Sequence, residues 1–123
     1  MNIEQNTING IAIATIESNE LLITDAQSAL DLIATVAYQY NCRSIILPKR
    51  AVIDALFDLR TGLAGEILQK FENYRVRVAI VGDYSGYTSK ALLDFIRESN
   101  RGTRIFFVAT QAEAIEKLSK PYQ

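Results

Sequence analysis

Val76-Arg77-Val78-Ala79-Ile80-Val81-Gly82-Asp83 begins as an almost unbroken apolar run and ends in a glycine and a carboxylate. Four consecutive apolar residues, Val78 to Val81, leave neither face of a strand for water. A strand of that kind is covered on both sides, as parallel strands are when helices pack on each face of a sheet. The same pattern recurs at Ile45-Ile46-Leu47 and at Ile105-Phe106-Phe107-Val108. Between these runs the apolar spacing becomes helical. Leu63, Ala64, Ile67, Leu68 and Phe71 share one side of a helix expected over residues 61–74. Leu92, Phe95 and Ile96 do so over residues 89–100, with Asn100 and Gly102 as the stop. Strand and helix alternate, which is the signature of βαβ units.

Further toward the N-terminus the pattern is antiparallel. A short strand over residues 3–6 leads to Asn9-Gly10, a strong two-residue hairpin signal because both residues tolerate positive φ. Residues 11–16 alternate as a half-buried strand should. Residues 21–23 form either one more short strand or an extended approach to the first helix. That helix is expected over residues 25–40, with Thr24 and Gln27 as a capping box. Ala26, Ala29, Leu30, Ile33, Ala37 and Tyr40 make its buried face, and Asn41 is its left-handed stop. A short helix is expected over residues 52–59. Thr110 and Glu113 form a second capping box ahead of a last helix whose inner face is Ala112, Ile115 and Leu118. Pro48 and Pro121 interrupt none of these elements. The expected architecture is a mixed α/β sheet of four to six strands, an N-terminal hairpin followed by βαβ units with helices covering the sheet, in one domain spanning residues 1–123.

Composition removes several chemistries. The chain has 123 residues, no histidine and one cysteine. Internal disulfides, zinc sites built on Cys and His, and histidine-based triads are therefore excluded. The net charge is −1, so nothing global draws the chain to nucleic acid. No apolar run approaches the roughly 20 residues that span a bilayer. Met1-Asn2-Ile3-Glu4-Gln5 lacks a basic leader, so a cytoplasmic location is expected. No cofactor and no metal are expected, because the chain lacks a clustered acidic motif.

Ligands of open α/β sheets collect beyond the carboxyl ends of the parallel strands. One loop leaving such an end holds Lys49, Arg50 and Asp58 and runs into Arg60-Thr61-Gly62-Leu63. Thr61 stands near a helix N-terminus, where backbone N–H groups favour an anion or a phosphorylated hydroxyl. A plain helix cap with glycines for close packing explains the same residues. A second loop, Gly82-Asp83-Tyr84-Ser85-Gly86-Tyr87-Thr88-Ser89-Lys90, is neither a Walker A loop nor a dinucleotide fingerprint. Asp83 is its best carboxylate for a polar site. A tight turn, with Asp83 or Ser85 bonding local backbone and Ser89 as a cap, explains it equally. Asp58, Glu66 and Asp83 could supply an acid–base pair only if the loops meet. Tyr84 and Tyr87 either face a partner or brace their own loop. Arg75 and Arg77 share a strand face and read as the place where the sheet meets water. Arg97, Arg101 and Arg104 read as a solvated face, with Asp94–Arg97 a surface helix pair. Cys42 reads as a small buried residue.

The segment 57–71, with Ala79-Ile80-Val81-Gly82-Asp83, Glu98-Ser99-Asn100-Arg101-Gly102 and Ile105-Phe106-Phe107-Val108, resembles the bacterial family catalogued as domain of unknown function 4180. The resemblance covers nearly the whole chain and implies no established activity. More distantly, the order of elements is similar to STAS domains of the anti-sigma-factor-antagonist type. In those, a Ser or Thr followed by Gly-Leu at a helix start is phosphorylated by a partner kinase and controls binding. Arg60-Thr61-Gly62-Leu63 looks like that position. Two differences stand: Leu59 and Arg60 separate Asp58 from Thr61, and residues 49–57 lengthen the strand-to-helix turn. The resemblance implies a STAS-like, non-catalytic regulatory module binding a protein partner or small anionic ligand. Its expected binding residues are Asp58, Arg60, Thr61, Gly62, Asp83, Tyr84 and Ser85, with Thr61 as phosphosite. A small enzyme or nucleotide-binding protein using Asp83, Ser85 and Lys90 is the alternative, and a structural homodimer is a third reading.

Overall fold

The computed structural model describes residues 1–120, so Pro121 lies outside the described residues. Five strands form one sheet in sequence order: β1 (Asn2–Ile8), β2 (Ile11–Glu17), β3 (Ser44–Pro48), β4 (Arg77–Val81) and β5 (Ile105–Val108). β1 and β2 are antiparallel, and β2 through β5 run parallel. The mixed sheet, the hairpin and the βαβ units agree with the sequence reading. Asn9 and Gly10 take φ of 53° and 79°, the positive values a two-residue hairpin turn requires.

The two faces divide the strand residues alternately. Ala14, Ile16, Ile45, Leu47, Val78, Ile80, Ile105 and Phe107 point into the larger core. There they meet α1 (Ala26–Ala34), α2 (Leu63–Asn73) and α3 (Lys90–Arg101). Ile13, Ile46, Ala79, Phe106 and Val108 point the other way, under α4 (Gln111–Leu118). This two-sided burial is why the strands read as continuous apolar runs. At one margin of the sheet, Asn100 closes β5. Its side-chain amide donates to the Phe107 carbonyl at 3.0 Å, and its oxygen accepts from the Phe107 N–H at 2.7 Å.

Several local expectations are corrected. The first helix is capped by Asp25, whose carboxylate accepts from Ser28 N–H at 2.8 Å, so Thr24 and Gln27 do not form the box. Its last turn, Thr35–Gln39, widens into a π-helix, which buries Val36 and Ala37 and leaves Tyr40 exposed. The short helix expected over 52–59 is instead a series of 3-10 turns, Lys49–Ala51, Asp54–Phe57 and Leu59–Thr61. Val52 cannot be helical because it pairs with Ile23 in an isolated parallel bridge. That bridge also shows residues 21–23 to be an extended approach rather than a full strand. In α4 the inner residues are Ala114 and Leu118, while Ala112 is exposed. Thr110 accepts from Glu113 N–H at 3.1 Å, which is one arm of the expected box.

The arginine assignments change most. Arg77 is 4% exposed rather than at the water boundary. Its Nε donates to the Thr103 carbonyl at 2.8 Å. Its Nη1 donates to the Leu118 and Lys120 carbonyls, and its Nη2 to that of Lys117. The cation thereby satisfies the last carbonyls of α4, where the helix dipole favours positive charge. Arg104 is likewise largely buried and pairs with Glu72 at 3.0 Å. Arg97 remains a surface residue, paired with Asp94 at 2.9 Å. Replacing Arg77 with methionine removes these bonds and is expected to cost about 2–4 kcal/mol, read as a lowered urea midpoint. Arg97→Met is expected to stay within about 0.5 kcal/mol. Equal midpoints for the two variants would refute the role assigned to Arg77.

Candidate functional site

Pro48, Val81 and Val108 lie side by side at the carboxyl ends of β3, β4 and β5. The loops that follow the first two meet directly. Lys49 opens one and Gly82 opens the other. A Cβ built on Gly82 would stand 2.5 Å from the Lys49 Cβ, so only glycine admits this approach. Lys49 then lays its ammonium over rings: Nζ is 4.8 Å from the Phe57 centroid and 5.1 Å from that of Tyr87. Contacts of this kind are attractive through the ring quadrupole.

Phe57 is the buried pivot of the cluster. It stacks on Tyr87 at 5.6 Å and tilts against Tyr84 at 5.7 Å. Phe107 meets both Phe57 and Tyr84 edge-on. The Tyr84 hydroxyl donates back to the Ile80 carbonyl at 2.8 Å. Burial raises the Tyr84 phenol well above its ordinary value, and Tyr87 adds to the shift. Tyr84 therefore braces its own loop through Ile80, and both tyrosines pack across onto Phe57 of the other loop.

Around this cluster the polar residues of the two loops form separate local pairs. Asp58 closes on Arg60: Oδ2 accepts from Nη2 at 2.9 Å and Oδ1 from Nε at 3.0 Å. That bonding holds the Asp58 carboxyl below its ordinary range. Asp83 Oδ1 accepts from the Ser85 hydroxyl at 2.6 Å and its N–H at 2.9 Å. Those bonds lower the Asp83 carboxyl, and the nearby Lys49 charge lowers it further. Thr61 and Asp83 are both exposed. The Thr61 Oγ1 lies 2.9 Å from the Ala55 carbonyl and 2.8 Å from that of Asp58, and accepts from Leu63 N–H. Gly62, at φ 77°, is the cap of α2 and has no side chain to offer.

Among the described residues, no hydrogen bond or ion pair joins Asp58, Arg60 or Thr61 to Asp83 or Ser85. The link between the loops is aromatic and cationic, through Phe57, Lys49 and the tyrosines. Lys90 is engaged by Asp94 at 2.9 Å, and Ser89 caps α3. Asp83, Ser85 and Lys90 thus serve local structure. Glu66 is exposed on α2. Among the described residues no group of three His, Cys, Asp or Glu is arranged to hold a metal, and no helix is long and apolar enough to cross a membrane. Sequence reading placed Lys49 in its loop but gave it and Phe57 no role. The available signal was position: Lys49 is the first residue past a buried strand, facing a glycine at the end of the next.

Gly82→Ala forces the added methyl onto the Lys49 side chain close to its backbone. Overpacking of this kind is expected to cost about 1–3 kcal/mol, checked by thermal unfolding. The raised Tyr84 pKa means the folded state favours the neutral phenol. Its contribution to stability is complete below the unfolded value of about 10 and is lost as pH rises toward the folded value. At about pH 11, one unit above the ordinary tyrosine value, Tyr84 is expected to stay protonated until the chain unfolds. Comparing phenolate absorbance of wild type and Tyr84→Phe checks this. The two should match when folded and differ by one phenolate when unfolded.

No curated protein matches this chain. The chain is similar in structure to a Thermotoga maritima protein provisionally described as an anti-sigma factor antagonist. The identity is 17%, the match covers 96% of this chain and 95% of that chain, and the TM-score is 0.44. The family model described as a domain of unknown function, DUF4180, matches residues 8–118, and the chain belongs to that family.

Proposed function

We propose that this chain is a non-catalytic regulatory module that docks a protein partner on the rim around Thr61 and Asp83, with Thr61 as the residue that a kinase modifies. One observation carries the reading. Thr61 is exposed at the entrance to α2, yet its hydroxyl is the tie between the 3-10 turns that hold Phe57. A phosphate on Oγ1 removes the only proton that oxygen can donate. The Ala55 and Asp58 carbonyls then keep only their backbone donors, the N–H groups of Asp58 and Thr61, and face a charge of about −1.5 to −2. The start of α2 favours that charge, and Gly62 leaves room for it.

Arg60 strengthens the case. Its side chain is 90% exposed and, among the described residues, held by Asp58 alone, so it can exchange that carboxylate for a phosphate through charge-assisted bonds. Modification would then do two things together. It would place negative charge on the docking rim and slacken the turns beneath the aromatic cluster. Asp83 and Ser85, exposed beside that cluster, complete the surface a partner would meet.

Affinity capture of tagged wild type, Thr61→Glu and Thr61→Ala from the native host tests this reading by quantitative mass spectrometry. Phosphate is expected on Thr61 in a fraction of the wild type. Thr61→Glu is expected to change the yield of one co-purifying protein by about tenfold or more, which is about 1.4 kcal/mol. Circular dichroism should show all three folded. Equal recovery of every partner by the folded variants would refute the switch.

A further inference from the structure

We propose that the opposite rim, at the amino ends of the parallel strands, binds a small phosphate-bearing ligand through its phosphate groups. Two adjoining concavities open there and share Arg77. One, of about 930 Å³, is lined by Arg43, Arg75 and Arg77 with Asn9, Asn41 and Ser44. The other, of about 500 Å³, is lined by Arg77, Arg101, Lys117 and Lys120. Among the described residues, no carboxylate side chain lines either one. Both volumes fall within the ordinary range of small-molecule sites.

The cations come from separate parts of the chain: the approach to β3, the turn before β4, β4 itself, the end of α3 and the end of α4. A chain with a net charge of −1 therefore gathers six positive side chains at one end of its sheet. Compensation of helix dipoles explains only part of this. α1 with its π-helical last turn, α2, α3 and α4 all end at this rim, each contributing about half a negative charge. Glu98 offsets Arg101 at 3.1 Å. Four half-charges do not balance Arg43, Arg75, Lys117 and Lys120, so among the described residues the rim stays positive. Among the described residues no carboxylate lies within ion-pair distance of Arg43, Arg75 or Lys120.

The chemistry of the lining selects the ligand class. Arg77 is a fixed positive floor, held by the backbone carbonyls that end α4. Arg43 spends one N–H on the Tyr74 carbonyl at 2.9 Å, and its fork suits bidentate contact with phosphate oxygens. Arg75, exposed and at φ 55°, stands at the mouth. Gly10, Ile11 and Ala12 give the larger concavity an apolar strip beside these donors. Phe106, the aromatic residue of the smaller one, already lies beneath Arg77 and Lys117 and offers no free ring for a base. Phosphate groups rather than a nucleobase are thus what the site recognises.

Titration with pyrophosphate and with ATP, followed by calorimetry and thermal unfolding at low salt, tests the proposal against sodium chloride of matched ionic strength. Pyrophosphate is expected to raise Tm by several degrees and to bind with one-to-one stoichiometry. Arg43→Gln/Arg75→Gln, which spares Arg77, is expected to keep the wild-type Tm without ligand and to bind about tenfold or more weakly. ATP binding no tighter than pyrophosphate supports recognition of phosphate alone, and much tighter binding overturns the exclusion of a base. Binding unchanged in the double variant, or no shift beyond the sodium chloride control, overturns the site. Capture of an acidic peptide without any response to pyrophosphate overturns the ligand class. Thr61→Glu is expected to bind pyrophosphate as wild type does, which separates this result from the fate of the docking rim.

Discussion

Arg77 is a cation that the fold can bury only by giving it acceptors. Four backbone carbonyls supply them, three from the end of α4 and its following residues and one from the approach to β5. A charge removed from water costs far more than it returns unless it is fully bonded. The bonds therefore set where α4 stops and how β4 and β5 enter the sheet. The same strand ends four residues later at Val81, beside Gly82, so one short element fixes the geometry of both rims.

At the far end of β4 the constraint is space rather than charge. Gly82 and Lys49 come closer than two side chains could, which brings the loops after β3 and β4 together. Phe57, Tyr84, Tyr87 and Phe107 then fill the gap with rings at the separations aromatic pairs favour. Polar groups around this cluster bond within their own loops. The rim is in consequence two local polar turns mounted on one shared apolar block. A change in either turn can reach the other through Phe57.

The two rims carry opposite helix ends. α1, α2 and α3 connect parallel strands, so they begin at the carboxyl ends of the strands and finish at the amino ends, and α4 follows β5 in the same sense, ending on Arg77 of β4. Hydroxyls, glycines and partly neutralised aspartates stand where the helices start. Arginines and lysines gather where they finish, beyond what the helix ends can offset. The chain's near-zero net charge conceals this polarity completely.

Sequence alone determined the layers of this protein. Runs such as Val78 to Val81 are apolar on both strand faces, Asn9-Gly10 tolerates positive φ, and Leu63 to Phe71 repeats at helical spacing; each is a local property that hardly depends on its surroundings. The rim positions of Thr61 and Asp83 were also legible, because loops after parallel strands are placed by the order of elements. Tertiary structure decided the rest. Val52 gave up a helix to pair with Ile23, and Arg77 went inward because distant carbonyls were there to receive it. Lys49 found its role only when Phe57 and Tyr87 arrived beside it. Periodicity records which face a residue shows to the core, but the partner of a buried charge lies dozens of positions away, and no local pattern encodes that meeting.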